Sequence, residues 1–238
     1  MLILAVDSAT PVAGIALVDG SQVLKEEFLN YKKTHSETLL PAIDRVLKEC
    51  ECSLEDLSAI AVTIGPGSFT GLRIGLAAVK GLSVAAGKPI IGVSTLDVLA
   101  HNVFNSNALV CALLNARKNE IYHCMYDASH CFPVRITDIM VSSPQQFLTL
   151  AETAAQLHYK DTFIMVGDGF YQYGSFLKAA LGQRLIDIPL HSMLPRAAAL
   201  GSLAINRLLK NDLEDTGKIK PLYIRLSEAE NRLGRGEV

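Results

Sequence analysis

The hydrophobic pattern changes period several times along the first hundred residues, and each change marks an element. "LILAVD" (2–7) is a short apolar run closed by an aspartate and predicts a buried strand; "AGIALVD" (13–19) and "SQVLKEEF" (21–28) predict two more. Asp19-Gly20 supplies the turn that two-residue hairpins favour, so the chain is expected to open as an antiparallel meander. In "THSETLLPAIDRVLKEC" (34–50), Leu39, Leu40, Ile43, Val46 and Leu47 recur at helical spacing behind a capping-box pattern from Thr34 to Glu37. This is an amphipathic helix, except that Pro41 should either delay its regular start to Ser36 or Thr38, or bend it. "AIAVTI" (59–64) is apolar throughout, as expected of a strand covered on both faces. A glycine-rich loop follows, then a helix at "TGLRIGLAAVKGLSVAAG" (70–87) stopped by Gly87 and Pro89, a strand at "PIIGV" (89–93) and a helix at "STLDVLAHNV" (94–103).

The second half repeats this order loosely. Strands are predicted at "ALVCALLN" (108–115), "EIYHCMYD" (120–127) and "FPVRITDIMV" (132–141), with a turn at "ARKN". A helix at "SPQQFLTLAETAAQLH" (143–158), a strand at "TFIMVG" (162–167), a helix at "YGSFLKAAL" (173–181), a strand at "RLIDIP" (184–189) and a long helix at "PRAAALGSLAINRLLK" (195–210) follow. Three meandering strands leading into parallel units crossed by helices is the order of a ribonuclease-H-like mixed sheet. Two related α/β lobes are therefore expected, 1–105 and 106–225, with 226–238 as a polar tail.

Composition narrows the function classes. With 238 residues, half of them apolar, and a positive mean hydropathy, the chain has ample material for buried cores and is not of disordered composition. A net charge of −2, with the basic residues scattered, excludes the footprint of an autonomous nucleic-acid binder, so any RNA contact is expected to need a partner. The amino terminus has no basic region before its apolar run, and the longest apolar helix carries Arg73 and Lys80; no membrane association and a cytoplasmic location are expected. Five cysteines without a C-x-x-C pair read as reduced thiols, Cys50 and Cys52 being the one close pair.

The loop "GPGSFTGLRIG" (65–75) is the candidate for chemistry. It is not a Walker A loop, because Leu72 and Arg73 stand where lysine and a hydroxyl residue are needed. Nor is it a dinucleotide fingerprint: the spacing of Gly65, Gly67 and Gly71 is one residue too long, and Ser94 and Thr95 stand where an acidic residue belongs. It does offer backbone N–H groups at a helix start, with Ser68 and Thr70 as caps, a setting that attracts anions. Gly71, Gly75, Ala78 and Gly81 or Leu82 share a helix face on which small residues admit a second helix, either within the lobe or from a partner. Asp7, at a strand end in "DSAT", could position a cation or water or simply cap a turn, and Asp168 in "VGDG" has the same two readings. The six histidines include no H-E-x-x-H and no H-x-x-x-H, so no metal site is expected.

"AVDSAT", "HSETLLPAID", "VTIGPGSFTGLRIGLAAVKGL", "GVSTLDVLA" and "PLYIR" together resemble the TsaB (YeaZ-like) family, which takes part in making threonylcarbamoyladenosine on tRNA. The resemblance implies the actin, sugar-kinase and heat-shock ATPase class of fold. It implies a non-catalytic scaffold that binds and activates a TsaD-like transferase, with a TsaE-like ATPase joining, homodimers forming without the partner, and tRNA met only through the complex. Catalytic residues and metal ligands of its own are not expected; ATP or ADP at the partner interface is the one cofactor left open. Carried onto this chain, the partner interface comprises His35, Leu39, Ile43, Gly71, Arg73, Ile74, Gly75, Ala78 and Lys80, and the candidate anion or nucleotide contacts are Asp7, Gly67, Ser68 and Thr70. Ala9 replaces the glycine of the D-x-G-T-[TS] turn of nucleotide-binding relatives, and its Cβ would impede approach to phosphate. Asn115 departs from the family's usual Asp-Ala-Arg triplet. The competing class is an ATP-binding phosphotransferase or peptidase-like enzyme of the same fold.

Overall fold

The computed structural model describes residues 1–29, 35–213 and 217–224, His35 by its backbone alone. The meander is present as β1 (Leu2–Asp7), β2 (Ala13–Asp19) and β3 (Gln22–Leu29). It is followed by α1 (His35–Glu49), β4 (Ala59–Gly65), α2 (Phe69–Ala86), β5 (Ile90–Ser94) and α3 (Thr95–Ala100). The strands lie in the order β3-β2-β1-β4-β5, antiparallel through the meander and parallel from β1 to β5.

The second half contributes β6 (Leu109–Asn115), β7 (Ile121–Asp127), β8 (Val134–Arg135), β9 (Met140–Ser142) and α4 (Pro144–Leu157). Then come β10 (Phe163–Val166), α5 (Asp168–Leu181), β11 (Leu185–Ile186) and α6 (Ala197–Leu209). Its sheet runs β11-β10-β6-β7-β8 with β9 also on β7, which repeats the first order. The fold is two ribonuclease-H-like lobes of the actin, sugar-kinase and heat-shock ATPase class.

Side-chain alternation decides what covers each face. In β1, Leu4 and Val6 join the core under α1 and α2, while Ile3 and Ala5 face α6. The α6 side is built from small residues, Ala5, Ala16, Ala59 and Ala61 against Ala197 and Ala204, so the helix lies close to the strands. A Cβ on Gly201 would come within 2.3 Å of Val18 Cγ2. The second sheet is covered by α4 and α5 on one face and by Leu96, Leu99 and Ala100 of α3 on the other. Each half thus sends its last helix across to the other half's sheet, and the two helices meet. The expected second lobe, 106–225, is corrected in this respect: α6 and the buried Ile219 belong to the first lobe's packing. The tail 226–238 and the Thr34 end of the capping box lie outside the described residues.

Four predicted elements differ in extent, among them the helix expected at 173–181, which begins five residues earlier at Asp168. "FPVRITDIMV" is two short strands, because the backbone of Ile136 and Thr137 turns in to donate to Met125 O while Thr137 Oγ1 accepts from Met125 N. The helix expected over 94–103 is regular only to Ala100, and beyond it Asn102 Nδ2 donates to the carbonyls of Ser192 and Leu194. "RLIDIP" pairs only at Leu185 and Ile186. Pro41 sits inside α1 on its exposed side, and the helix begins at His35, one residue from the expected start at Ser36, and runs through the proline to Glu49. Leu39, Ala42, Ile43 and Val46, all buried against the sheet, hold the turn that proline leaves one hydrogen bond short.

Candidate functional site

The glycine loop and the turn after β1 are joined into one unit. Asp7 is 1% exposed, and its Oδ1 accepts from Ala9 N–H at 3.1 Å and from Thr63 Oγ1 at 2.6 Å. Ser68 N–H donates to Ala9 O at 2.7 Å, and Ser8 Oγ donates to Gly71 O at 2.9 Å. Ser68 Oγ caps α2 by accepting from Gly71 N–H at 3.2 Å. The glycines make this closure sterically feasible. A Cβ would lie 2.3 Å from Ala9 O at Gly67, 2.1 Å from Ser8 O at Gly71 and 2.1 Å from Ser8 Oγ at Gly75. Of the candidate anion contacts, Asp7 is therefore enclosed and Gly67 is pressed against the turn, while Ser68 and Thr70 are exposed at the helix start.

This arrangement corrects the interface reading at four positions. Gly71 and Gly75 are buried and face the chain's own turn, and Leu39 and Ile43 are core residues at 1% and 2% exposure, so the four offer no open surface on this chain. The outward side of α2 is open instead at Arg73, Ala77, Gly81, Val84 and Ala85, while Ile74, Ala78 and Leu82 are half-buried along its edge and pack against the first lobe's core. Lys80 is half-buried at its margin, and Leu40 and Pro41 of α1 are exposed. The side chain of His35 lies outside the described residues. Gly81 differs from the other two helix-interior glycines: a Cβ there would have nothing within 4 Å. By length and composition α2 could cross a membrane, and only one third of it is buried, yet Leu72, Leu76 and Val79 fix its inner side in the first lobe's core.

Two features escaped the sequence reading. Arg73 lies over the Phe69 ring, 3.8 Å from its centroid, and its Nε donates to Tyr223 OH at 3.0 Å; the two rings are 5.1 Å apart. With Leu222 N–H donating to Ile64 O at 2.6 Å, residues 219–223 form a strap tied to the glycine loop. Arg73 is thus stacked within the chain rather than free at the periphery. The second is a cleft of about 450 Å³ between the lobes, whose lining includes Ser94, Asp97, Arg135, Asn206, Arg207 and Leu222. Arg135 pairs with Asp97 through Nε and Nη2, and Tyr126 OH donates to the same carboxylate. No spacing pattern links positions so far apart in the chain.

In the second lobe, the Asp168 carboxylate accepts from Asn115 N–H at 2.9 Å, and burial pushes its pKa above the usual carboxylate value. Asn115 Oδ1 accepts from Arg117 N–H at 2.8 Å, and Nδ2 donates to Gln172 Oε1 at 2.6 Å. The amide uses both of its functions, and an aspartate at 115 would lack the donor. Among the described residues no group of three or more His, Cys, Asp or Glu side chains is arranged to hold a metal ion.

Two ribonuclease-H-like lobes, with the turn after β1 closed by the chain's own glycine loop, define the class of fold. The model of the family TsaD, tRNA N6-adenosine threonylcarbamoyltransferase, matches residues 22–233. The tRNA threonylcarbamoyladenosine biosynthesis protein TsaB of Bacillus subtilis is 30% identical over 97% of this chain and 96% of its own. The protein of that name from Haemophilus influenzae is 30% identical over 94% of each chain. The solved structure of YeaZ from Pseudomonas aeruginosa superposes with a TM-score of 0.77 at 28% identity, covering 93% of this chain and 99% of that one. The chain belongs to the TsaB/YeaZ family, within the wider group that the transferase model describes. Its place in threonylcarbamoyladenosine biosynthesis follows from that membership.

Proposed function

We propose that this chain is the non-catalytic scaffold of the complex that makes threonylcarbamoyladenosine on tRNA, and that it docks onto and activates a TsaD-like transferase through the outward side of α2. The observation that carries this reading is the open apolar side of α2 at Ala77, Gly81, Val84 and Ala85, with Gly81 facing free space. A glycine inside a helix costs about 1 kcal/mol relative to alanine. At Gly71 and Gly75 that cost admits the turn after β1; at Gly81 nothing in the described fold requires it. Close approach of a second helix is the use that remains.

The closed turn supports the non-catalytic part. A phosphotransferase of this fold needs the turn after β1 open to phosphate, and here Ala9 and Ser68 fill it against each other. In this reading ATP or ADP enters only where partner surfaces complete a site, a TsaE-like ATPase joins the assembly, and two copies cover each other's α2 when no transferase is present. tRNA is reached through the complex, in the cytoplasm.

The test is association with the cognate transferase, measured by sedimentation. Gly81→Leu and Ala77→Arg, both at exposed positions, should weaken it at least tenfold while leaving the circular dichroism and melting temperature of the free chain close to wild type. Undiminished affinity in both folded variants would refute docking through this face.

A further inference from the structure

The β6–β7 turn holds the longest run of left-handed non-glycine residues in the described chain. Arg117, Lys118 and Asn119 have φ of 59°, 52° and 59°, three consecutive non-glycine residues in the left-handed region. Asparagine tolerates that region; arginine and lysine bear a steric cost that glycine would avoid. The base of the turn is firmly held. Ala116 N–H donates to Glu120 O, Glu120 N–H to Arg117 O, and Asn115 ties the turn to Asp168 and Gln172 of α5.

The backbone of this turn does not call for long cationic side chains, and the fold gives them no work. Both are exposed, and among the described residues neither has an ion pair, a hydrogen bond or an aromatic ring as partner through its side chain. Most other arginines of the described chain are engaged: Arg45, Arg135, Arg184, Arg196 and Arg207 each rest on a carboxylate, and Arg73 on two rings. Backbone strain that persists without an internal beneficiary marks a functional position. Two adjacent cations raised on a rigid, strained turn suit a ligand with closely spaced, repeating negative charge.

We propose that Arg117 and Lys118 contact the phosphate backbone of the tRNA held by the complex. The inference rests on the functional reading above, because a net charge of −2 gives the chain no bulk attraction for a polyanion. The turn supplies local positioning contacts of the kind that fix register without reading sequence, while the partner supplies most of the affinity.

The experiment uses the complex of this chain with its cognate transferase and fluorescently labelled, unmodified tRNA, titrated across a range of salt concentrations. Removing two phosphate contacts with Arg117→Gln plus Lys118→Gln should weaken binding about tenfold at low salt and lower the log–log salt slope by about 2. Lys118→Gly separates contact from folding. It should raise the melting temperature of the free chain by about 2 to 4 °C, because the left-handed residue becomes glycine, and yet weaken RNA binding. Unchanged affinity and salt slope in the double variant would overturn the proposal while leaving the scaffold reading intact, provided the wild-type complex still modifies tRNA. Loss of transferase association with RNA affinity unaltered would also overturn it, assigning the cations to an acidic protein surface. A wild-type complex that neither binds nor modifies tRNA would overturn both.

Discussion

Three glycines of α2 have opposite roles that spacing alone does not separate. Gly71→Ala places a methyl group 2.1 Å from Ser8 O and should cost about 1 to 3 kcal/mol or more, since the obstacle is backbone. Gly81→Ala meets open space and should stabilise the free chain by about 0.5 to 1 kcal/mol. Urea unfolding of the two variants reads both signs. The sequence made it plain that small residues cluster on this helix, but the helix has two small-residue stripes, one through Gly71 and Gly75 and one through Ala77 and Gly81, with the half-buried Ala78 between them. Which stripe faces inward depends on the turn after β1, more than fifty residues earlier in the chain. His123 illustrates the same limit. It lies 0% exposed on β7 beside Phe147, with Nε2 2.9 Å from Ser142 Oγ, and burial lowers its pKa to about 4. The unfolded chain holds that proton up to about pH 6.5 and the folded chain does not, so stability is full above pH 6.5 and declines as pH falls toward 4, by about 1.4 kcal/mol per unit. His123→Asn should flatten the stability profile between those limits; an unaltered slope would assign the acid sensitivity to other groups.

Elements of the first half were legible nearly residue for residue, because each is short, uniformly apolar or strongly amphipathic, and closed by Gly, Pro or Asp. The α2 stop at Gly87, with φ of 64°, is an example. The failures were tertiary. α6 reads as an apolar helix in the second half, and nothing local says that Ala197, Leu200 and Ala204 cover the first sheet. The strap escaped for the same reason: Tyr223 meets Phe69 and Arg73 only in the folded chain. This exchange of helices has a direct consequence. A fragment of residues 1–105 keeps the meander, α1 and α2 but exposes Ile3, Ala5, Val18, Ile91 and Val93, which α6 covers in the whole chain. It should fail to fold as an independent lobe, giving collapsed amide dispersion by NMR, and adding a peptide spanning 195–212 should restore dispersion. A well-dispersed spectrum from the fragment alone would show that the first lobe's stability does not depend on α6.

At the scale of the whole molecule, the account joins a closed turn, an open helix side and membership of the TsaB/YeaZ family into one claim: the chain works by what it binds. Asp7 is enclosed and the Ala9 carbonyl accepts from Ser68 N–H, while α2 is open at Ala77, Gly81, Val84 and Ala85. The most direct test is transfer of the threonylcarbamoyl group from its adenylate to unmodified tRNA, followed for this chain alone, for its cognate transferase alone, for the two mixed, and for the mixture with Gly81→Leu. The account predicts product only, or far faster, in the wild-type mixture, with that gain largely lost in the variant. Turnover by this chain alone, or a mixture no faster than the transferase by itself, would contradict it.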